Sequence, residues 1–362
     1  MSTSIAFGQT ALTNLPSQSP RPIQMLVIGD SILWGQGLKT ERKSWYLVKL
    51  WLEKNTGRRV VERIKAHSGA VIERASATND LTSNNGEVNL ALPTLHDELD
   101  NALKEYADPA HVDLVLLSGC GNDVGAFKLL NASDRTEADK MTRSACGKPV
   151  ENLLQRILTA FPNAQVIVTG YYPLFSDNSR NDFILKALAK KFFKTEREGS
   201  PRMGHKEVFE QLKRNSKQWY ESSNSSLAQA VNNVNASAGG STARATFVKI
   251  DFPADYSFAA PKTHLWEVDR SPFRMMFLVL SFGRVLLPSN DQVRHERGIT
   301  CSEIYKPQPN ETPEEKKERK ANKLLCRYAA LGHPNQKGAV LYAEAITNVL
   351  KTRFSGVTAT AP

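Results

Sequence analysis

Four short motifs of this chain together contain the residue types that cleavage of an ester requires. The motifs are Gly29-Asp30-Ser31, Ser68-Gly69-Ala70, Gly121-Asn122-Asp123 and His333-Pro334-Asn335. Such a reaction needs a nucleophile, a base that takes its proton, and hydrogen-bond donors for the oxyanion that develops. Ser31 has the hydroxyl of a nucleophile and His333 has the imidazole of a general base. Gly69 and Asn122 add a backbone N–H and a side-chain N–H, so the set is complete for hydrolysis through an acyl-serine.

Three of these motifs follow stretches that are typical of buried strands. The predicted strands, each with the motif residue that follows it, are 25–28 before Ser31, 59–65 before Gly69, and 112–117 before Asn122. Open α/β sheets bind their ligands at the carboxyl edge of the strands. We therefore expect the three motifs to meet at one edge of a sheet, where a hydroxyl and two donors face the same ligand.

The rest of the chain predicts helices between these strands and two further strands. Apolar residues at helical spacing predict helices over residues 42–55, 92–106, 149–161 and 339–353, and apolar runs predict strands over 165–170 and 245–250. The polar stretch 207–236 has a stripe of apolar residues that suits one buried helix face. Alternation of strand and helix is typical of a parallel sheet with helices on both faces, so the predicted fold class is α/β.

Together the four motifs resemble the four sequence blocks of the GDSL, or SGNH, hydrolases, a family named for its Ser, Gly, Asn and His. The resemblance extends from Met25 to Leu350, with insertions in the second half, and includes an HPNxxG pattern before a helix. It implies a flavodoxin-like fold, which is a three-layer α/β/α sandwich around a central, mostly parallel sheet. It also implies an esterase or lipase that uses no metal and no organic cofactor.

The resemblance implies a role for each motif residue. Ser31 is the expected nucleophile, and His333 is the expected general base. The expected oxyanion hole consists of the backbone N–H groups of Ser31 and Gly69 and the side-chain amide of Asn122. Gly69 suits this role because a residue without a Cβ lets the backbone approach the substrate closely.

One position departs from the family pattern. Members usually have an Asp three residues before the histidine, where it orients the ring and stabilises the imidazolium, and this chain has Ala330 there. A nearby backbone carbonyl, a carboxylate from elsewhere, or no acceptor at all are the alternatives. We expect a Ser31–His333 dyad. A protein of the same fold that has lost catalysis and only binds its ligand is the competing prediction.

The expected domain organisation is simple. We expect one hydrolase domain over residues 23–355, a flexible lead-in over 1–22 and a flexible tail over 356–362. The lead-in has neither the basic region nor the apolar region of an intact signal peptide. We therefore expect either a cytoplasmic protein or the mature form of a secreted one, and the compartment stays open.

Insertions in the second half are expected to shape the substrate cleft. They lie near residues 174–205 and 267–325, and they contain the apolar segments 183–193 and 272–288. These segments favour a lipid-type acyl ester over an acetyl ester. The family resemblance also permits phospholipases, thioesterases and carbohydrate deacetylases, so the physiological substrate stays open.

The charge balance is basic, but it does not indicate a nucleic-acid partner. Lys and Arg number 47 against 37 Asp and Glu, which gives a formal net charge of +10. These basic residues are scattered, and no nucleic-acid motif accompanies them. No apolar run reaches the about 20 residues of a transmembrane helix. The expected partner is a small-molecule or lipid ester, without nucleic acid or an integral membrane segment, and the oligomeric state stays open.

The four cysteines leave the redox state open. Cys120, Cys146, Cys301 and Cys326 have no CxxC spacing, so a zinc site is not predicted. An even number allows two disulfides, whereas four buried thiols in a reducing compartment are the alternative. We expect the local pairs Cys120–Cys146 and Cys301–Cys326, the second of which would tether the charged segment ahead of His333.

Overall fold

A parallel sheet of five strands lies at the centre of the described part of the chain, in the order β2-β1-β3-β4-β5. The computed structural model describes residues 20–73, 87–88, 94–182, 185, 204–237, 243–268 and 289–354. The strands are β1 (Ile23–Ile28), β2 (Val60–Ile64), β3 (Leu114–Leu117), β4 (Gln165–Thr169) and β5 (Ala245–Val248). Their apolar sequences allow burial on both faces of the sheet, and every residue of β3 is buried.

Helices cover both faces of this sheet. They are α1 (Ser31–Trp34), α2 (Ser44–Thr56), α3 (Leu95–Leu103), α4 (Gly121–Val124), α5 (Ala126–Leu130), α6 (Arg135–Cys146), α7 (Lys148–Ala160), α8 (His205–Ser237), α9 (Arg294–Ile304), α10 (Pro313–Arg327) and α11 (Gln336–Phe354). The crossover from β1 to β2 runs in the opposite direction to the three that follow. Right-handed connections therefore put α2 on one face and α3, α7 and α8 on the other. Since α11 packs against α2, the predicted three-layer α/β/α fold is confirmed.

Side-chain caps set where several helices begin. The hydroxyls of Thr94 and Thr312 accept a backbone N–H in the first turn of α3 and α10. The side chains of Asp97 and Glu315 bond back to the caps, which completes two capping boxes. Asp134 accepts a first-turn N–H of α6. These polar residues just before helical sequence fix the helix starts locally.

Sequence periodicity does not predict α6, and the reason is its polar packing against α8. The Asp139 carboxylate of α6 accepts hydrogen bonds from the Gln218 amide and the Ser222 hydroxyl of α8. The buried Thr142 hydroxyl donates to the carbonyl of Ala138 in its own helix at 2.7 Å. A helix held by such bonds does not need the apolar stripe on which helix prediction depends.

Two disulfides confirm the expected cysteine pairing. Cys120 is bonded to Cys146, and Cys301 is bonded to Cys326, with Cα–Cα distances of 5.1 and 5.9 Å. The first bridge joins the chain just after β3 to the end of α6. The second joins α9 to the end of α10, close to the loop that contains His333. The alternative of four buried thiols is therefore wrong.

Several sequence-based predictions fall outside the described residues. These are most of the lead-in at 1–19, the tail at 356–362, the apolar segment 272–288 and, apart from Leu185, the apolar segment 183–193. Among the helices that the structure describes, none combines the length and the apolar character needed to cross a bilayer.

Candidate active site

The turn that carries Ser31 is built on the end of β1. The strand ends at Ile28, and Ser31 begins the one-turn helix α1. Asp30 caps that helix, because its Oδ1 accepts the N–H of Ile32 at 3.0 Å. The cap fixes the direction in which the chain leaves the strand. Ser31 is consequently held at the carboxyl edge of the sheet, where it is 7% exposed.

A buried hydrogen-bond network holds Asp30 beneath this turn. The Ser118 hydroxyl donates to Oδ1 of Asp30 at 2.8 Å, and the Tyr171 hydroxyl donates to Oδ2 at 2.6 Å. The Tyr171 oxygen accepts the N–H of Gly121 at 3.0 Å. Burial raises the pKa of Asp30, and the hydrogen bonds from Tyr171 and Ser118 oppose that rise. The segments that follow β1, β3 and β4 are therefore tied together below Ser31.

His333 lies against the candidate nucleophile. Its Nε2 is 2.8 Å from Oγ of Ser31, although 302 residues separate the two in sequence. The loop that carries the ring is paired with Trp266, whose backbone N–H donates to the His333 carbonyl at 2.8 Å. The Trp266 carbonyl accepts the N–H of Gly332 at 3.0 Å. A hydroxyl that donates to a neutral imidazole nitrogen is the starting geometry for general-base catalysis.

The second ring nitrogen of His333 has different surroundings. The ring as a whole is half-buried, but Nδ1 is fully buried and has no hydrogen-bond partner among the described residues. Burial lowers the pKa of His333 to about 4, whereas the nearby carbonyl groups of Ala330 and Leu331 act to raise it. The positive charge of Arg297 is a second cause of the lowered pKa of His333. Within the described ranges, no carboxylate is hydrogen-bonded to Nδ1.

Asn122 follows β3 through a residue in an unfavourable conformation. Cys120 has a φ of +96°, and the left-handed region costs a non-glycine residue about 1–2 kcal/mol. Its disulfide to Cys146 anchors this turn to α6. Asn122 lies in α4, where its Nδ2 donates to the carbonyl of Ala70 at 2.9 Å. No described residue accepts the second N–H of that amide, which can therefore bind a ligand.

Gly69 lies in the turn after β2 with a φ of +83°, which favours glycine. The N–H of His67 donates to the Gly29 carbonyl at 2.8 Å, and this bond joins the Gly69 turn to the Ser31 turn. The Asp123 carboxylate accepts a backbone N–H of the same loop at 2.9 Å. In the described part of the chain, the backbone N–H groups of Ser31 and Gly69 have no protein acceptor.

The structure brings the four predicted site residues to one edge of the sheet. Ser31 contacts His333 directly, and the loops of Gly69 and Asn122 are each hydrogen-bonded to a neighbouring motif. Unpaired N–H groups beside a hydroxyl and an imidazole are suited to a carbonyl group under nucleophilic attack. The arrangement can therefore perform acyl transfer.

Sequence reasoning missed three residues that hold this site. Tyr171 is the second residue after β4, so the tendency of sites to lie at the carboxyl ends of strands is a signal for it. Glu98 of α3 accepts the N–H of Gly29 at 2.8 Å, and burial raises its pKa well above the usual range. Trp266 supports the His333 loop. Nothing in the sequence around Glu98 or Trp266 indicates these contacts, because they depend on tertiary packing.

A cavity lies beside the loop that carries the candidate base. Its volume is about 710 Å³, and its lining includes Trp266, His264, Asn335 and residues at the start of α11. Ser31 and His333 are not part of that lining. Across the described residues, no group of three His, Cys, Asp or Glu side chains is arranged to hold a metal ion.

One protein-family model matches most of the chain. It is described as GDSL-like Lipase/Acylhydrolase and matches residues 25–346, a range that includes all four motifs. No curated protein matches the chain at a significant level.

Solved structures with a similar fold are distant in sequence. An extracellular lipase from Streptomyces rimosus is 15% identical at a TM-score of 0.40, over 68% of this chain and 89% of that one. Phospholipase A1 from Streptomyces albidoflavus is 14% identical at a TM-score of 0.38, over 69% of this chain and 89% of that one. The third is a family two carbohydrate esterase from Clostridium thermocellum, solved with cellohexaose. It is 12% identical at a TM-score of 0.40, over 93% of this chain and 67% of that one. Likenesses this distant carry no argument about substrate.

Proposed function

Because this chain belongs to the GDSL-like lipase/acylhydrolase family of ester-bond hydrolases, we propose that it is a serine esterase with a Ser31–His333 dyad. The observation that carries the proposal is the 2.8 Å contact between Oγ of Ser31 and Nε2 of His333. The unpaired backbone N–H groups of Ser31 and Gly69 beside that contact support it. The proposed reaction is hydrolysis of a carboxylic ester through an acyl-serine.

Acylation uses the residues at the sheet edge. Nε2 of His333 takes the hydroxyl proton of Ser31 as Oγ bonds to the carbonyl carbon of the ester. The carbonyl oxygen becomes an oxyanion, which the N–H groups of Ser31, Gly69 and Asn122 bind. The bond between the carbon and the alcohol oxygen then breaks, and His333 gives its proton to that oxygen. The acyl group stays on Ser31.

Deacylation repeats these steps with water as the nucleophile. His333 takes a proton from water as its oxygen bonds to the acyl carbon. The same donors bind the second oxyanion. The bond from the carbon to Oγ then breaks, Ser31 recovers its proton from His333, and the carboxylic acid leaves.

The surroundings of Nδ1 define the kind of dyad. A backbone carbonyl near the ring, even without a hydrogen bond to Nδ1, favours the tautomer in which Nδ1 carries the proton and Nε2 is free to accept one. It stabilises the imidazolium less than a carboxylate does, because it carries no full charge. Ala330 occupies the position of the usual acid, and its carbonyl is among those that act to raise the pKa of His333. We therefore expect a slower enzyme than one with a complete triad.

The proposed substrates are carboxylic esters with a lipid-type or an acetyl acyl group. A carbohydrate deacetylase is the alternative, in which the same steps release acetate from a sugar hydroxyl. Turnover of p-nitrophenyl esters from acetyl to palmitoyl, on purified protein, separates these: a maximum at long chains indicates a lipid-type ester. A strict preference for acetate indicates a deacetylase, which acetylated oligosaccharides then test directly.

The nucleophile is tested by covalent labelling. A fluorophosphonate reacts with a serine only when the serine is activated by its base, so it should label Ser31 alone. Ser31→Ala should lose both the label and the turnover of p-nitrophenyl esters. A label that persists in Ser31→Ala, at any other serine, would show that the proposal names the wrong nucleophile.

A catalytically impaired binding protein is the second candidate. The observation that favours it is the buried Nδ1 of His333, which has no hydrogen-bond partner among the described residues. This candidate predicts no turnover of any ester in the panel and no fluorophosphonate label, together with calorimetric binding of a non-hydrolysable ester analogue. Turnover that depends on Ser31 eliminates it.

A further inference from the structure

A buried cluster of three charged side chains lies beside the candidate active site. The guanidinium of Arg297, in α9, has no solvent-exposed surface. Its Nη1 donates to Oε1 of Glu87 at 2.6 Å, and its Nη2 donates to Oδ2 of Asp291 at 2.5 Å. We refer to these three residues as the Arg297 cluster. A buried charge is stable only with such partners, so Arg297 forces its neighbours into one arrangement.

On one side, the cluster holds residues 34–37, which follow the nucleophile and which we call the nucleophile segment. The carboxylate of Glu87 accepts the indole N–H of Trp34 at 2.9 Å and the amide of Gln36 at 2.7 Å. It also accepts the backbone N–H of Gly37 at 3.0 Å. These three residues lie three to six positions after Ser31 in the sequence. The position of Glu87 therefore constrains the chain directly after α1.

On the other side, the cluster holds residues 327–333, which lead to the base and which we call the base segment. Nη2 of Arg297 lies 3.4 Å from the carbonyl of Arg327, the last residue of α10. The turn from there runs to Ala330, whose carbonyl accepts the N–H of His333 at 3.0 Å. The disulfide between α9 and α10 is adjacent to this contact.

The two sides meet at Gly37. A Cβ built on Gly37 would lie 2.8 Å from Cβ of Ala330, closer than real side chains approach, and 3.0 Å from Cβ of Asp291, which is unusually tight. The Gly37 carbonyl accepts the N–H of Gln292, next to Asp291, at 2.9 Å. The nucleophile segment, the base segment and the Arg297 cluster are therefore in direct contact, with no room for a side chain between them.

We propose that Arg297 is a positioning residue for the Ser31–His333 pair: it holds the nucleophile segment through Glu87 and Asp291, and the base segment through the Arg327 carbonyl. The inference rests on the proposed function. The planar fork of an arginine contacts two carboxylates and a carbonyl at once, whereas the ammonium of a lysine is a compact point charge. The separation of Oγ and Nε2 then depends on a residue that touches neither of them.

A second consequence of the cluster is electrostatic. The positive charge of Arg297 is one of the causes that lower the pKa of His333. The cluster therefore acts on the base in two separable ways, by geometry and by charge. A lysine at position 297 keeps the charge and loses the fork, whereas a methionine loses both.

The experiment compares Arg297→Lys and Arg297→Met with a matched control, Arg319→Met. Arg319 also makes a two-point ion pair, with Glu311, but on α10 away from the candidate site. Folding is checked by circular dichroism and thermal unfolding. In folded Arg297→Lys we expect kcat to fall about 100-fold, as for a displacement of about 1 Å in the reacting groups. We expect KM to change less than about threefold, because substrate contacts are intact.

The pH profile separates positioning from general loss of structure. The acidic limb of kcat/KM should stay in place in Arg297→Lys and move to higher pH in Arg297→Met, because removal of the positive charge raises the pKa of His333. If Arg297→Met does not fold, Glu87→Gln replaces it as the second variant. The kcat of Glu87→Gln should then fall by about as much as the kcat of Arg297→Lys. A folded Arg297→Lys with wild-type kcat overturns the inference, as does an equal loss in Arg319→Met. Fluorophosphonate labelling of Ser31 in the wild-type protein tests the proposed function separately.

Discussion

The two halves of the proposed dyad are held in place by different means. Ser31 follows a buried strand, and the hydrogen bonds of Asp30 and Tyr171 join its turn to neighbouring strands. His333 lies on a loop outside the sheet, which Trp266 and the Arg297 cluster support. The nucleophile is thus positioned by sheet geometry, and the base by contacts between distant segments. We infer that the base side is the more sensitive to changes far from the chemistry.

The largest effects should come from the reacting groups themselves. Ser31→Ala and His333→Ala should each lower kcat by on the order of 10⁴ or more, because residues that act as a unit lose nearly the whole effect together. Steady-state turnover of a p-nitrophenyl ester measures both. Ser237→Ala and His111→Ala, at exposed positions, should retain wild-type rates. A residual rate in His333→Ala within tenfold of wild type would remove the base from the dyad.

The same assay tests whether a distant acid completes the base side. In the described ranges no carboxylate bonds to Nδ1 of His333, so no single acid should be indispensable. Asp251→Ala, Asp255→Ala and Glu303→Ala should keep most of their activity. If one of these folded variants is as inactive as His333→Ala, a triad exists and the dyad proposal is wrong.

The next largest effect should come from the oxyanion donor on the nucleophile side. Asn122→Ala should lower kcat by about 100- to 1,000-fold, with KM much less affected, because the hydrogen bond strengthens in the transition state. Asn163→Ala is the matched control, since its exposed amide also donates to a backbone carbonyl at 2.9 Å. A rise in KM alone would make Asn122 a substrate-binding or structural residue.

Two adjacent tyrosines allow the nucleophile side and the base side to be tested separately. The Tyr171 hydroxyl donates to Asp30 on the nucleophile side, and the Tyr172 hydroxyl donates to the Gly332 carbonyl on the base side. Tyr171→Phe should lower the unfolding free energy by about 1–3 kcal/mol, because it leaves the buried carboxyl and the N–H of Gly121 short of a partner. Tyr172→Phe should lower the unfolding free energy by about 1 kcal/mol, because it removes one hydrogen bond. Urea denaturation measures both losses, and a larger loss in Tyr172→Phe than in Tyr171→Phe would contradict this expectation.

The smallest effect concerns the pH dependence of the base. His333 has a pKa lowered to about 4, so Nε2 stays neutral and able to accept a proton down to about pH 5. The value of kcat/KM should therefore not change between neutral pH and about pH 5. It should fall as the pH drops through about 4.

Ala330→Asp sharpens this test by adding the missing acid. A carboxylate near Nδ1 raises the pKa of the ring, so the acidic limb should move to higher pH and kcat should rise a few-fold. Burial of the new charge is expected to lower stability, which thermal unfolding would measure. A wild-type limb near the unperturbed histidine value of about 6.5 would show that Nδ1 is less buried than the structure indicates.

The same contrast explains which parts of the site the sequence predicts. Strand ends and small-residue turns are local signals, so the sequence alone predicts Ser31, Gly69 and Asn122 as site residues. The motif around His333 also predicts the base, but no local signal predicts the residues that support its loop. Glu87 and Arg297 are charged residues far apart in sequence, and only the folded chain brings them together. The polar helix α6 was missed for the same reason, because its partners lie on α8.

The disulfides have a practical consequence for site-specific labelling. The structure has no free cysteine, so the native protein offers no thiol to a maleimide. Val340 is 38% exposed and lines the cavity beside the His333 loop. A fluorophore attached through Val340→Cys would be the single dye on the molecule and would report occupancy of that cavity. The labelling has to be done without dithiothreitol, since a reductant would open the bridges and create competing thiols.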